Sequence, residues 1–192
     1  MLTLLPGQDA GAVPPVDPVP ALAGVVRALR AAPVPPDLPS VAAGRLSAGS
    51  LDFARRMAAE FTPEEGDRRH LAAMLEAAAL LPAHDGPPVW THGDLHPLNL
   101  LTVGGRLSAV IDWGSLGAGD PARDLICGWT MLDRQGRAAF RRAVAPDPAA
   151  WARARAFALV MAVQAIPYYR GTNARFRDAM RATLAEVLAD GD

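Results

Sequence analysis

The hydrophobic pattern of this chain changes from helical to strand spacing once, in the segment 83–115. Within it, residues 98–103 and 106–111 are rich in apolar and β-branched side chains, and they flank Gly104-Gly105. A Gly-Gly pair supplies the positive φ angles of a two-residue hairpin turn, so these residues predict two antiparallel strands. On both sides of the segment, apolar residues recur at the three- and four-residue spacing of amphipathic helices. The sequence therefore predicts an α+β fold, mostly helical around one central β-hairpin.

The length of 192 residues suits a single domain. Nine of the 18 prolines fall within the first 39 residues, and proline cannot continue a helix. We therefore predict a Pro-rich extended tail at 1–20 and one domain at 21–192, divided into a helical part (21–82), the hairpin region (83–115) and a second helical part (116–192). The sequence Thr62-Pro63-Glu64-Glu65 is typical of a helix start, with proline in the first turn followed by acids.

Composition excludes several classes of protein. The formal net charge of −1 argues against a basic nucleic-acid-binding surface. Cys127 is the single cysteine, which excludes an internal disulfide framework and a four-cysteine zinc site. The first residues lack the charged and apolar regions of a secretory signal, and no run reaches the roughly 18 apolar residues of a membrane helix. We therefore expect a cytoplasmic protein.

All 19 of the Lys and Arg residues are arginines. A chain without lysine cannot form a Schiff base through a lysine amine. It also lacks the lysine of P-loop proteins and the lysine with which kinases hold the phosphates of ATP. Any phosphate chemistry here must therefore depend on other side chains.

A polar, His-rich stretch at 91–99 lies between apolar runs and carries Asp94 and Asn99. With Gly104 and Gly105 as the turn, regular pairing predicts that Asn99 faces Val110. Asp112 is then on the same face two residues further, with its Cβ about 7–8 Å from that of Asn99. Asp94 lies in the loop just before the first strand, at the same end of the hairpin, so we expect Asp94, Asn99 and Asp112 to converge there. Carboxylate and amide oxygens are suitable ligands for Mg²⁺.

Three motifs carry a resemblance to a known family. The pattern H-G-D-L-x-x-x-N at 92–99, followed by I-D-W-G at 111–114, resembles the catalytic and metal-binding loops of the protein-kinase-like fold. The glycine at 93, the His-Pro pair at 96–97 and G-D-P-x-x-D-L at 119–125 make the chain more similar to the aminoglycoside phosphotransferase family, which includes choline-kinase-like enzymes. Leu5-Pro6-Gly7 resembles the segment that follows the interlobe hinge of that family.

The resemblance implies a role for each motif residue. The reaction would be ATP-dependent phosphorylation of a hydroxyl on a small molecule, with Mg²⁺ bound together with ATP. Asp94 would be the catalytic base, while Asn99 and Asp112 would hold Mg²⁺ against the phosphates. Leu101 would bind the cofactor as part of the adenine floor. Two residues would have supporting roles, with His92 organising the catalytic loop and Asp124 binding the backbone of that loop.

Members of this family also carry a β-rich N-terminal lobe, with a phosphate-covering loop and a phosphate-binding lysine. No G-x-G-x-x-G pattern precedes position 92. The resemblance therefore predicts a kinase-like C-terminal lobe alone, with the N-terminal lobe absent, which is inactive or incomplete as an isolated chain and binds ATP weakly. Its partners would be a small-molecule hydroxyl substrate and, through an exposed inter-lobe face, a second copy or a separate N-terminal lobe. We expect no nucleic acid and no membrane as partners.

Two other functions stay open at this level. The spacing His92-x-Asp94-x-His96 also suits the zinc site of a metal-dependent hydrolase. Alternatively, a C-terminal lobe without its partner could be a non-catalytic remnant or a binding module.

Overall fold

The computed structural model of the protein describes residues 5–38 and 46–190. Within these ranges the chain forms an α+β fold of helices around small antiparallel sheets. The helices are α1 (Val19–Ala31), α2 (Ala48–Ala59), α3 (Arg68–Ala79), α4 (Cys127–Thr130), α5 (Arg134–Val144), α6 (Pro148–Tyr168) and α7 (Ala174–Ala189). The strands are β1 (Gln8–Asp9), β2 (Val89–Thr91), β3 (Leu100–Val103), β4 (Arg106–Val110) and β5 (Gly117–Gly119).

The predicted hairpin is formed by β3 and β4, and its turn is made by Gly104 and Gly105 with φ angles of 57° and 75°. The predicted register is wrong beyond the first pairs. Thr102 lies opposite Leu107 as expected, but Leu101 lies opposite Ala109 and Leu100 opposite Val110, because an irregularity in the ladder leaves Ser108 as an additional residue. Consequently Leu100, and not Asn99, faces Val110.

Part of the segment predicted as a tail is built into this sheet. Gln8 and Asp9 form β1, which pairs with β3, so that the strand order is β1-β3-β4. The amide of Ala10 donates to the carbonyl oxygen of Leu100 at 2.8 Å, and Ala10 is buried. Residues 1–4 lie outside the described residues. The remaining strands, β2 and β5, form a separate two-stranded sheet. In sequence, β2 precedes the hairpin and β5 follows it.

The centre of the helical core is α6, more than half of whose residues are buried. Between Pro148 and Tyr168 this helix is long and apolar enough to cross a membrane by length and composition, with a mean hydropathy of 1.2. The sequence analysis found no uninterrupted apolar run of this length. The helix nevertheless has a high mean hydropathy, because alanines and aliphatic residues outnumber Arg153 and Arg155 in it. Two-thirds of the segment (67%) is buried inside the protein, as in the core helix of a water-soluble domain.

The connection between α2 and α3 differs from its prediction. The sequence 62–65 forms a turn, and α3 begins at Arg68 with Asp67 as its N-cap, accepting from the Arg69 amide at 2.8 Å. Glu65 is used in a different way. Its carboxylate accepts from the Thr62 amide at 3.0 Å and pairs with Arg170 at 2.7 Å and Arg181 at 3.3 Å. Glu65 therefore fastens this turn to the end of α6 and to α7.

The Glu65 contacts predict a measurable dependence of stability on pH. Burial tends to raise the pKa of Glu65, but the hydrogen bonds from Arg170 and from the Thr62 amide outweigh it and lower that pKa from 4.5 to about 2. Because the pKa is lower in the folded state, this stabilisation is complete above pH 4.5 and is lost as the pH falls toward 2.

We expect Glu65→Gln to lower the free energy of unfolding at neutral pH by about 1–2 kcal/mol, since a charged hydrogen bond contributes about 1.5–3 kcal/mol and Arg170 is partly in solvent. In urea titrations, the difference in stability between the variant and wild type should shrink below pH 4.5 and disappear near pH 2. Glu60→Gln, at an exposed carboxylate of the same connection, is the matched control. Equal losses at pH 7 and pH 3 would contradict the prediction.

Candidate active site

The loop that follows β2 is fastened to the protein by one buried carboxylate. Asp124 accepts hydrogen bonds from the amides of His92 and Gly93, both at 2.8 Å. Burial raises the pKa of Asp124, although these two hydrogen bonds oppose the shift. Gly93 has a φ of 82°, and a Cβ at this position would lie 2.8 Å from the carbonyl oxygen of Ser115. Glycine is therefore required for the loop to approach the segment 113–115 this closely.

His92 joins this loop to the segment that follows β4. Its Nδ1 accepts from the Asp94 amide at 3.3 Å, so its Nε2 carries the proton and donates to the carbonyl oxygen of Ile111 at 2.9 Å. The imidazole also contacts the Trp113 ring edge-to-face, with 4.7 Å between centroids. Both ring nitrogens are hydrogen-bonded to the backbone and the side chain is buried, so His92 stabilises the conformation of the loop.

Asp94 presents a partly exposed carboxylate that two side chains hold in place. Its Oδ2 accepts from Asn99 Nδ2 at 3.0 Å and faces His96 Nε2 at 3.3 Å. His96 Nδ1 accepts from the Leu98 amide, which leaves the proton on Nε2 for Asp94. Burial tends to raise the pKa of Asp94, but the hydrogen bonds from His96 and Asn99 outweigh it and hold that pKa below its ordinary value. The carboxylate is therefore ionised at neutral pH and can accept a proton.

The backbone near Asn99 and Asp112 is arranged in a different way from the one predicted. Asn99 ends a short 3₁₀ turn, Pro97–Asn99, and β4 ends at Val110, so neither side chain follows the strand alternation. The backbone joins them instead, because the Ile111 amide donates to the Asn99 carbonyl oxygen at 2.9 Å. Asp112 follows with a left-handed backbone, φ 59° and ψ 65°, and is exposed. Asn99 Oδ1 accepts no hydrogen bond from the described residues.

Leu101 lies in a cleft of about 540 Å³ between the hairpin and the N-terminal segment. Leu98, Leu101 and Ile111 supply its apolar side, and residues of the N-terminal segment between 7 and 12, other than Ala10, supply much of the rest. Arg175 of α7 also lines the cleft and holds both carboxylate oxygens of Asp9 at 2.7 Å. A flat apolar ring could lie against such a surface.

A larger cavity of about 990 Å³ opens beside Asp94. Its walls come from α2, α6 and the start of α7, which are far from the motifs in sequence. Arg123 also lines this cavity, and its Nη2 donates to the Gly93 carbonyl oxygen at 3.1 Å. Sequence reasoning missed Arg123 and the contact between His96 and Asp94. Arg123 lies inside the motif at 119–125, which is the signal that could have identified it.

The predicted zinc cluster is not assembled. No group of three or more His, Cys, Asp or Glu side chains within 5–38 and 46–190 is arranged to hold a metal ion. In the His92-x-Asp94-x-His96 sequence, Nδ1 of each imidazole accepts from a backbone amide. The two imidazoles therefore stabilise the loop, and the hydrolase alternative has no support in this geometry.

Comparison with protein families decides the assignment. Residues 1–157 match the model of a family described as the phosphotransferase enzyme family. The chain belongs to the phosphotransferase enzyme family. The resemblance derived from the motifs at 92–99, 111–114 and 119–125 is thereby confirmed. A search of curated proteins found no significant match.

Several solved structures share the fold of this phosphotransferase-family chain. Spectinomycin phosphotransferase APH(9)-Ia, in complex with ADP and spectinomycin, is 14% identical with a TM-score of 0.66, and the match covers 95% of this chain and 65% of that one. Macrolide 2'-phosphotransferase MphH from Brachybacterium faecium is 25% identical with a TM-score of 0.56, covering 94% and 68%. Plasmodium vivax ethanolamine kinase is 11% identical with a TM-score of 0.56, covering 96% and 63%.

The chain therefore spans less than two thirds of the spectinomycin phosphotransferase and of the ethanolamine kinase. At these identities, the first and third similarities concern the fold. They agree with the α+β class predicted from the hairpin and its flanking helices.

Proposed function

We propose that this member of the phosphotransferase family acts in the transfer of the γ-phosphate of ATP to a hydroxyl of a small molecule, with Asp94 as catalytic base. The observation that supports this most strongly is the Asp94 carboxylate, ionised and held by Asn99 and His96 at the edge of the large cavity. A ligand in that cavity can bring a hydroxyl to Asp94 while the nucleotide lies on the hairpin side of the same loop.

In the proposed reaction, the substrate hydroxyl donates its hydrogen bond to Asp94, which orients the oxygen for attack. A bond forms between this oxygen and the γ-phosphorus as the bond from phosphorus to the bridging oxygen of ADP breaks. The hydroxyl proton passes to the Asp94 carboxylate and then to solvent. His92 and Asp124 hold the loop, and Asn99 and His96 hold the carboxylate, so that Asp94 needs little rearrangement.

The residues at the hairpin end suit Mg²⁺. Asn99 Oδ1 and the exposed Asp112 carboxylate are hard oxygen donors, and the amide hydrogens of Asn99 are directed to Asp94, which leaves Oδ1 for a cation. We propose that these two residues hold Mg²⁺ together with ATP. When bound, the ion neutralises phosphate charge. Leu101 and Ile111 would support the adenine ring.

We further propose that the isolated chain is a C-terminal lobe with low ATP affinity and little turnover. Residues 1–20 then correspond to the segment after the hinge, and 21–192 to the lobe. Large apolar side chains beside the hairpin turn are exposed, including Val16 at 89% and Val103 at 46%. These form part of an inter-lobe face that a separate N-terminal lobe or a second copy would cover.

Nucleotide binding tests this proposal directly. The phosphate-binding lysine and the phosphate-covering loop of the family both contact ATP, so without them ATP should bind with a dissociation constant in the millimolar range. Methyl NMR should show shifts at Leu101 and Ile111 on titration with ATP, enhanced by Mg²⁺, while the exposed Leu80 serves as an internal control. Asp112→Asn should remove the Mg²⁺ enhancement.

Micromolar affinity would contradict the proposal of an incomplete nucleotide site. Shifts absent from the cleft at every concentration would favour the alternative of a non-catalytic binding module.

A further inference from the structure

The large cavity carries information about the compound that is phosphorylated. We propose that it binds a bulky, mainly apolar compound bearing a hydroxyl, without the multiple ammonium groups of a polyamine; this inference rests on the proposed function. Four observations support it: the size of the cavity, the nature of its walls, the charges along it and the polar groups left free.

The volume of about 990 Å³ lies at the upper end of the range for sites that bind drug-sized molecules. A small alcohol such as choline would leave most of this space to water. The occupant is therefore expected to be large enough to touch the helices α2 and α6 as well as the loop that carries Asp94, all of which line the cavity.

The walls are dominated by aromatic and aliphatic side chains. Phe53, Tyr168, Tyr169 and Phe176 form a continuous row, with successive ring centroids 6.2, 4.8 and 5.1 Å apart in edge-to-face contact. Rings that contact one another in this way make an extended apolar wall, whereas an ammonium cage needs ring faces around a common space. Such a wall favours a ligand with broad apolar surface.

Charge along the cavity disfavours a polycation. Among the described residues that line it, the ionisable carboxylate is Asp94 and the cation is Arg123. Asp94 already interacts with Asn99 and His96, and the proposed reaction uses its free edge for a hydroxyl. Each ammonium group brought into this cavity would lose hydration without gaining a carboxylate partner, and the first would meet the Arg123 guanidinium.

A polar anchor is left free for a neutral ligand. Gln164 lines the cavity, and its Nε2 donates to the carbonyl oxygen and the hydroxyl of Ser50, at 2.7 and 2.9 Å. These bonds fix the amide across α6 and α2. Gln164 Oε1 accepts no hydrogen bond from the described residues, so it is available to a second hydroxyl of the ligand.

Methionine methyl NMR tests the inference without requiring catalysis, since Met161 lines the cavity and Met180 is fully buried elsewhere. The probes are three neutral, drug-sized alcohols (prednisolone, digitoxigenin and brefeldin A), choline, and the polycation kanamycin. We expect at least one neutral alcohol to shift the Met161 signal in a saturable manner, with Met180 unchanged, and kanamycin and choline to produce no shift at equal concentration. A Met161 shift with kanamycin or choline, or none with all three neutral alcohols, would overturn the proposal.

Added carboxylates provide a second measurement. Phe157→Glu should weaken the response to the neutral alcohol by at least about tenfold and introduce one to kanamycin. Ser47→Asp places a carboxylate at the cavity while keeping an N-cap side chain for α2, so it folds even if Phe157→Glu does not. It should introduce a kanamycin response, and Leu80→Glu, at an exposed site, should not. If neither Phe157→Glu nor Ser47→Asp responds to kanamycin, the result would count against the charge argument.

The outcomes also separate this inference from the proposed function. If the alcohol binds but no preparation transfers phosphate to it, the proposed function fails while the assignment of the cavity stands.

Discussion

Replacing Arg153 with alanine is expected to destabilise the protein by about 3–5 kcal/mol, because the substitution leaves a buried carboxylate without its partner. Arg153 Nε and Nη2 donate to the two oxygens of Asp120 at 2.7 and 3.1 Å, and Asp120 is fully buried. One of these oxygens also accepts from the Ala122 amide at 2.9 Å. For a chain of this length, the melting temperature should fall by about 6–20 °C, as measured by calorimetry or circular dichroism.

The matched control is Arg134→Ala, since Arg134 is exposed and makes no ion pair among the described residues. Arg153→Lys should recover part of the loss, because an ammonium group cannot make both hydrogen bonds of the guanidinium. The double variant Asp120→Ala with Arg153→Ala should be less destabilised than the sum of the single changes. A loss below about 1 kcal/mol for Arg153→Ala would show that water replaces the ion pair.

Replacing Asp94 with asparagine is expected to lower phosphoryl transfer by about 10²–10⁴-fold, the usual contribution of a positioned general base. Asparagine has nearly the same shape, but its amide cannot take the proton of the substrate hydroxyl. The rate of ADP formation should be measured with a separately produced β-rich lobe added to the chain, because the isolated chain is proposed to turn over little. A neutral alcohol that shifts the Met161 signal is the acceptor of choice.

Two controls distinguish loss of the base from loss of structure. Asp85→Asn removes an exposed carboxylate near β2 and should leave the rate unchanged. The melting temperature of Asp94→Asn should remain within a few degrees of the wild type. Transfer that proceeds at the wild-type rate in Asp94→Asn would exclude Asp94 as the catalytic base.

Local sequence signals predicted the hairpin but not its register. The turn at Gly104-Gly105 is specified by residues that tolerate positive φ, and this information is entirely local. The additional residue Ser108 shifts every later pair by one, and nothing in the alternation of side chains marks it. For the same reason, the register from which we derived convergence of Asn99 and Asp112 was wrong, and their joint role stays a prediction that rests on motif spacing.

Contacts between residues that are distant in sequence could not be predicted from sequence patterns. The turn at 62–65 has the composition of a helix start, but Glu65 is held by Arg170 and Arg181, more than 100 residues away. The cavity could not be predicted either, because its walls combine α2, α6 and α7. By contrast, the residues of the loop 92–99 and its anchors lie in three short motifs, and these predicted the family that the comparison confirmed.

The anchoring of the segment 92–99 has a consequence for how such a site can change over time. Asp124 and Ile111 restrain it from two other parts of the chain, and Asn99 restrains it from within. The conformational entropy of the loop is therefore lost during folding and not when a ligand arrives. Transplanting the loop without these anchors should yield a disordered peptide. Evolution of new acceptors is therefore freest in the helices that surround the cavity, where side chains can be exchanged without disturbing the chemistry.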